Sequence, residues 1–517
     1  MSSSEGGGMR KTLNLTGVTI NAMALIAPGA FLWITYEVQA SQVAPNGAST
    51  ASAMWPGLFF ALILAFLTAA SYAMLARRYP QAGTGSSYYF AERAFLDRGG
   101  HSARFARVAK YAIGWLSHLY YWIYPGVMVA FMATLIAYIF SVFHVNLDIW
   151  VQMGIAVGFA LMVGMIAVRG ITGSTMINIV INVIQIIMLV GIAVLDLVYR
   201  ATNPQHVTFV MPTLRSIVIP HDFANVLFQG TIAILLLVGF ESATALTAEA
   251  KHPSFVSKGV ILSLVIQGLI MYLFEYFGAQ AWINNGYTQV SGGKTVHGFA
   301  AAAVSSGPIG DMARNLGNTL LGGIGLQLLV VVSLIVALAV IGTTLACLNT
   351  GVRVTYAMGR DAEVPTALGM LHGKYATPHY GVWVLTGVSA VVGAFGVLSV
   401  QNLTTVTFVS NIGTFVLYGM TNLIALIALM DEVGKTHVTL RLIVPLLGFL
   451  ANIFMLLAVF YLGIVGGGAT RNSALEAIGF SILWAVVGVV YLISNSRARH
   501  RGIIGEPLGK GVDVAGA

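Results

Sequence analysis

"AMALIAPGAFLW", residues 22–33, sets Pro28 and Gly29 side by side near the middle of the first long apolar run. Proline removes a backbone N–H and clashes with the preceding turn, while glycine adds backbone freedom, so residues 26–30 are expected to leave helical geometry. In hydrocarbon the freed N–H and C=O groups are tolerated only where they face protein, water or a bound solute. Taken alone, the stretch also reads as a plain proline kink.

Whether hydrocarbon surrounds it is decided by composition. The chain has 517 residues, of which 57% are hydrophobic and 9% charged, and a mean hydropathy of +0.84. Soluble globular chains do not reach these values. Repeated apolar runs of about 20 residues, each able to cross roughly 30 Å of hydrocarbon, predict an all-α integral membrane protein. Twelve spans are read near 15–36, 53–76, 111–140, 149–168, 175–198, 225–247, 258–280, 321–352, 381–398, 404–430, 439–463 and 474–494.

Lysine and arginine fall in every second connection: Arg10 and Lys11, seven residues from Arg77 to Lys110, Arg169, Lys251 and Lys258, Arg353 to Lys374, Lys435 and Arg441, and the tail from Arg497. Cytoplasmic loops retain such residues, which predicts a multi-pass protein of the cell membrane with both termini cytoplasmic. The net charge of +8 and pI near 9.5 then reflect a basic face against anionic lipid rather than a nucleic-acid partner. The start, "MSSSEGGGMRKTLNL", reads as a polar tail rather than a signal peptide, with Met9 an alternative first residue. Of the two long external connections, 199–224 and 281–320, the second either caps an outer vestibule or is an ordinary loop with short helices.

Enzymatic signatures are missing. Cys347 is the single cysteine, no HExxH, Walker loop or GxSxG occurs, and no catalytic residue, metal or cofactor is expected.

A second interruption lies in "TIAILLLVGFESATALTAEAKHPS", residues 231–254, where Gly239 breaks an apolar run and Glu241 follows. A carboxylate facing lipid is costly, so Glu241 must point inward. Five spans separate the two interruptions, the correspondence expected of inverted repeats with a site at the midplane between them. The domains are therefore read as a tail (1–14), a first repeat of helices 1–5 (15–198), a second of helices 6–10 (225–430), helices 11 and 12 (439–494) and a tail (495–517). Exposed N–H groups at one half-helix favour a carboxylate, and freed carbonyls at the other favour an ammonium. A zwitterionic amino acid matches both.

Three motifs, in order, resemble the amino acid, polyamine and organocation transporter superfamily. They are "RRYPQAGTGSSYYFAERAF" (77–95), through Pro80, Ala82, Gly83, Gly85 and Tyr88; the "GFES" segment, through Gly239, Phe240, Glu241, Ser242, Glu249, Lys251 and Pro253; and 349–382, through Arg353, Tyr356, Ala357, Arg360, Asp361, Pro365, His372 and Pro378. The resemblance runs from about residue 12 to 495. It implies an amino acid permease with a LeuT-like fold of twelve helices, a five-plus-five inverted repeat and alternating access. Carried over by residue, the backbone of Ile26, Ala27, Pro28, Gly29 and Ala30 would meet the substrate carboxylate, Gly239 to Ser242 would meet the amine, and Phe240 would be an aromatic lid. Proton-coupled members often carry a lysine in span 5; this chain has Gln185 at about that place, so that route to coupling does not carry over.

Other residues stay open. Thr343 and Thr344 either contribute to a sodium-like site or bond back to their own helix. Glu275, read as the other ionisable group deep in a span, is either a proton carrier or a protonated structural group. His118 and Tyr124 either line an aromatic pocket or are packed, and Glu249 is read as a gate residue. The expectation is a secondary transporter of an amino acid or close relative, working without ATP and driven by H+, Na+ or exchange. The alternative is a polyamine carrier using Glu241 and Glu275, and a more distant one is a channel.

Overall fold

The computed structural model describes residues 13–26, 28–80, 85–170, 175–203, 222–247, 250–430 and 438–504. The first apolar run forms two helices, α1 (Leu15–Ile26) and α2 (Pro28–Ala40), on either side of Ala27, which lies outside the described residues. The interruption is narrower than the 26–30 predicted. Pro28 begins α2 instead of disrupting it, because the first helical position needs no donor and proline's φ suits it.

The chain continues through α3 (Met54–Arg78), α4 (Ser87–Asp97), α5 (Ala106–Tyr121), α6 (Tyr124–Val142), α7 (Ile149–Val168) and α8 (Thr175–Thr202). The third predicted span is thus two helices, since Pro125 cannot sit inside a helix whose preceding turn holds Tyr121. After α9 (Phe223–Ala233) the backbone tightens into 3-10 geometry at Ile234–Leu236 and again at Phe240–Leu246. Next come α10 (Pro253–Leu264), a π-helical stretch (Val265–Tyr272) and α11 (Leu273–Trp282). A β-hairpin (Thr288–Ser291 with Lys294–His297) and α12 (Pro308–Leu320) precede α13 (Gly325–Arg360), α14 (His379–Val397), α15 (Val400–Leu429), α16 (Val438–Val465) and α17 (Gly468–Ala498). Among the described residues, 11 helical segments are long and apolar enough to cross a membrane, and α1 is a shorter apolar helix.

Residues such as Trp150, Val391 and Ile464 stay largely exposed, as expected where lipid replaces water outside the bundle. Inside, α15 packs on α3, α5, α14, α16 and α17. Apolar burial gives little drive between helices in lipid, so buried polar contacts do part of the work. Asn422 and Asn452 each donate to Thr68 Oγ1 (3.0 and 3.1 Å), and Ser71 donates to Asn422 Oδ1 (2.6 Å), joining α3, α15 and α16. Trp115 and Trp484 stack at 4.8 Å and donate to each other's carbonyls (2.9 and 3.0 Å), clasping α5 to α17.

The two ends of the bundle differ in charge. At one end Arg107 grips Glu363 through two bonds (2.7 and 2.9 Å), and Lys110 bridges Glu92 (2.7 Å) and Asp361 (2.8 Å). At the other, the Asp311 carboxylate accepts from Tyr138 (2.7 Å), Tyr287 (2.8 Å), Gln289 (2.9 Å) and Ser305 (2.6 Å), pinning the 281–320 connection to α6. Burial, with the Asp311 carboxylate beside it, holds the Tyr287 phenol above its ordinary pKa, so it remains a donor.

The Arg107–Glu363 pair is buried, and removing one partner leaves the other charge without compensation. Glu363→Gln should destabilise the protein by about 3 kcal/mol, and Arg107→Met with Glu363→Met should cost much less. Thermal unfolding of the purified variants in detergent checks the ordering.

Candidate functional site

The two helix interruptions meet. Gly239 adopts φ +122°, and a side chain there would collide with Leu25 Cδ2 and lie 3.1 Å from the Ile26 nitrogen and from the Leu25 carbonyl carbon. Only glycine satisfies both the backbone angle and this approach. The freed backbone groups are then taken up locally. Glu241 Oε2 accepts from the Gly239 N–H (2.9 Å) and from the Tyr418 hydroxyl (2.8 Å), while Ser242 donates to the Gly239 carbonyl (2.6 Å). Glu241 Oε1 accepts no hydrogen bond of good geometry, with the Tyr120 phenol close by. Glu241 is 0% exposed, and a buried carboxylate oxygen with only the Tyr120 phenol beside it is under-satisfied.

Aromatic rings wall this group. Phe240 lies 5.2 Å from Tyr418 and 6.1 Å, edge-on, from Tyr72. Tyr72, Tyr120, Tyr121 and Cys347 are within electrostatic reach of Glu241. Toward the basic end lies a cavity of about 10 Å³ lined by Ser86, Tyr88, Tyr121 and Leu417, room for one water at most. This is a closed conformation around a polar centre.

The three sequence motifs converge on it. Ser86 and Thr244 share a hydrogen bond (2.6 Å), Ser87 donates to Tyr72 (2.8 Å), Tyr88 donates to Asp361 (2.9 Å), and Arg353 donates to the Ala245 carbonyl (3.3 Å). The backbones of Leu13 and Ala250 pair as a bridge, with the Lys251 N–H on the Leu13 carbonyl (2.9 Å), so both interrupted helices are tied together at their basic ends as well.

Of the predicted site residues, the structure brings together Ile26, Gly239, Phe240, Glu241 and Ser242. Pro28, Gly29 and Ala30 form the first turn of α2; Ala27 and Glu249 lie outside the described residues. Thr343 donates to the Ala24 carbonyl (3.1 Å), joining α13 to α1, whereas Thr344 bonds back to Val340 (2.6 Å). Tyr124 packs against Tyr120 at 5.1 Å. His118 is elsewhere, stacked on Trp122 at 4.5 Å, near Trp115 and Trp484 and 3.3 Å from Thr355. Gln185 is buried on α8 with an unpartnered Oε1.

Glu275 is not the other buried acid alone: Asp196 and Glu37 are buried too. Each is an acid inside or at the rim of a predicted span, a signal that was present in the sequence. Tyr72 and Tyr418 carried no such signal, since tyrosines in apolar runs are common.

Comparison with known proteins agrees with the motifs. The family profile described as "Amino acid permease" matches residues 11–492. The chain belongs to the amino acid permease family. The low-affinity putrescine importer PlaP of Escherichia coli strain K12 is 23% identical over 495 residues, covering 94% of this chain and 93% of PlaP. The branched-chain amino acid permease BcaP of Lactococcus lactis is 29% identical over 177 residues, 34% of this chain and 32% of BcaP, and that of Bacillus subtilis is 23% identical over 284 residues. As a permease of this family the chain is a multi-pass membrane transporter, not an enzyme.

For this permease the Gly239 contact makes a sharp prediction. Gly239→Ala should cost about 1–3 kcal/mol in backbone strain and abolish substrate uptake by parting the two interruptions. Gly387→Ala, where a side chain meets nothing within 4 Å, is the control expected to transport normally. Uptake into vesicles, with protein level checked, decides it.

Proposed function

We propose that this permease carries an amino acid across the cytoplasmic membrane by alternating access, with both termini cytoplasmic and twelve spans in a five-plus-five inverted repeat. In this reading α1 and α2 together make the first span, and residues 223–246 make the sixth. The substrate ammonium sits against Glu241 Oε1, and its carboxylate meets the N–H groups of the first turn of α2, where the helix dipole favours an anion. The observation that carries the reading is the Glu241 carboxylate, anchored through Oε2 and with only the Tyr120 phenol near Oε1, beside the meeting point of the two interruptions.

A polyamine is the second reading, favoured by the full-length similarity to a putrescine importer. Glu241 would then hold one ammonium and the aromatic wall of Tyr72, Tyr120 and Tyr418 the methylene chain. Phe240 packs against Tyr72 and Tyr418, so either substrate enters only after these rings part.

Ligands that bind the folded state raise its apparent stability by mass action. Screening purified protein against the amino acids and a set of polyamines is expected to give a melting shift with one amino acid group. Glu241→Gln should weaken that ligand roughly 10- to 100-fold, the loss of one charge-assisted hydrogen bond. A shift with putrescine or spermidine alone would select the polyamine reading, and unchanged affinity in Glu241→Gln would remove that residue from the site.

A further inference from the structure

A second pair of acids lies away from Glu241. Asp196 on α8 is 0% exposed and Glu275 on α11 is 1% exposed, and none of their four carboxylate oxygens has a hydrogen-bond partner. The two are within electrostatic reach of each other. The helices that carry them touch through their backbones: a side chain at Gly278 would come within 2.9 Å of the Ala193 Cα. Gly278 is one turn from Glu275, and Ala193 is one turn from Asp196, so the acids stand astride that contact.

An independent observation points into the same place. The Tyr36 hydroxyl of α2 is buried, has no partner and is within electrostatic reach of Asp196. Beside it, Tyr276 donates to Gln39 Oε1 (2.6 Å), Gln39 donates to Gln229 Oε1 (3.0 Å), and Gln229 donates to Thr50 Oγ1 (2.8 Å). A polar track thus leads from the acid pair toward the connection between α2 and α3, at the end of the bundle opposite the basic residues.

Among the described residues, no cation hydrogen-bonds to either acid. The titratable or charged groups on the elements packed around the pair are Tyr36 and Glu37 on α2, Tyr72 on α3 with Arg77 and Arg78 at its basic end, Tyr276 on α11, Tyr199 and Arg200 on α8, and Asp311 and Arg314 on α12, and among the described residues none hydrogen-bonds to either carboxylate. The arginines of α13 stand at its basic end, where Arg353 bonds the Ala245 carbonyl. Two buried anions without a partner are strongly disfavoured, so something positive must accompany them when the site is closed to water. A metal ion requires several ligands, and among the described residues no group of three or more His, Cys, Asp or Glu is placed to hold one. A proton needs no coordination shell.

We propose that Asp196 and Glu275 form a proton-binding site, separate from the substrate site at Glu241, through which a proton gradient drives transport. The coupling role rests on the transport reading given above; the proton binding does not.

Two measurements on the purified full-length protein separate these parts. In infrared spectra taken across pH without substrate, the wild type should show a carboxylic-acid C=O band that fades as pH rises. Asp196→Asn and Glu275→Gln should each lose part of that band, and an unchanged band in both would overturn the proposal. In proteoliposomes, labelled L-leucine and labelled putrescine are tested for exchange at equal pH and for accumulation under an inward proton gradient. One pH unit supports about tenfold accumulation at one proton per substrate. Both variants should keep exchange and lose this accumulation entirely. Retained accumulation, or accumulation driven by sodium instead, would overturn the coupling role. Failure of the wild type to exchange either probe would count against the transport reading, and the infrared result would still judge the acid pair. Asp196→Glu and Glu275→Asp, which keep the acid, should retain both the band and the accumulation, separating loss of the proton from loss of the fold.

Discussion

The structure depends on two interrupted helices being allowed to touch. Each interruption exposes backbone groups that hydrocarbon cannot satisfy, and each would be unfavourable alone. Gly239 removes the side chain that would hold them apart, so the backbone at Leu25 and Ile26 lies against the turn that leads to Glu241. The carboxylate then serves two ends at once. One oxygen satisfies the turn through the Gly239 N–H and fixes it to α15 through Tyr418, and the other has only the Tyr120 phenol beside it. An apolar residue at 241 would leave the turn without its acceptor.

Around this centre the polar contacts are graded by depth. At the basic end, full charges are paired with full charges, as in Arg107 with Glu363 and Lys110 with Asp361. At the opposite end Asp311 is stabilised by hydrogen bonds from four neutral donors. In between, hydroxyls, amides and tyrosines carry the contacts, and among the described residues the acids there form no salt bridge. Such an arrangement suits a protein that must rearrange, since neutral hydrogen bonds exchange at lower cost than buried ion pairs. The closed rings over Glu241 and the small cavity below it describe one state of that cycle.

Much of this was legible in the sequence, for identifiable reasons. Apolar runs have a length set by the bilayer, so the helices stood out, and only the positions of prolines blurred them. Pro28 and Pro125 both start helices rather than bending them, which requires knowing what precedes them in space. Glu241 was legible because an acid beside a glycine in an apolar run has few explanations. Its partner Tyr418 was not, because nothing distinguishes one tyrosine in a buried helix from another until the helices are packed. His118 drew notice by its chemistry but lies among Trp115, Trp122 and Trp484, a packing role that the one-dimensional pattern does not reveal. Asp196 sits two residues before the end of its predicted span and four before Arg200, where an acid reads as interfacial. Its burial becomes evident only when α8 and α11 are seen to touch.

The most direct test of the account is a structure of the purified protein with its ligand bound, once the stability screen has named one. The account predicts ligand density between the first turn of α2 and residues 239–242, with an amine against the Glu241 carboxylate and the rings of Phe240 and Tyr418 displaced from their closed positions. Density among the tryptophans packed around His118, or between α8 and α11, with the Glu241 region still closed, would contradict it.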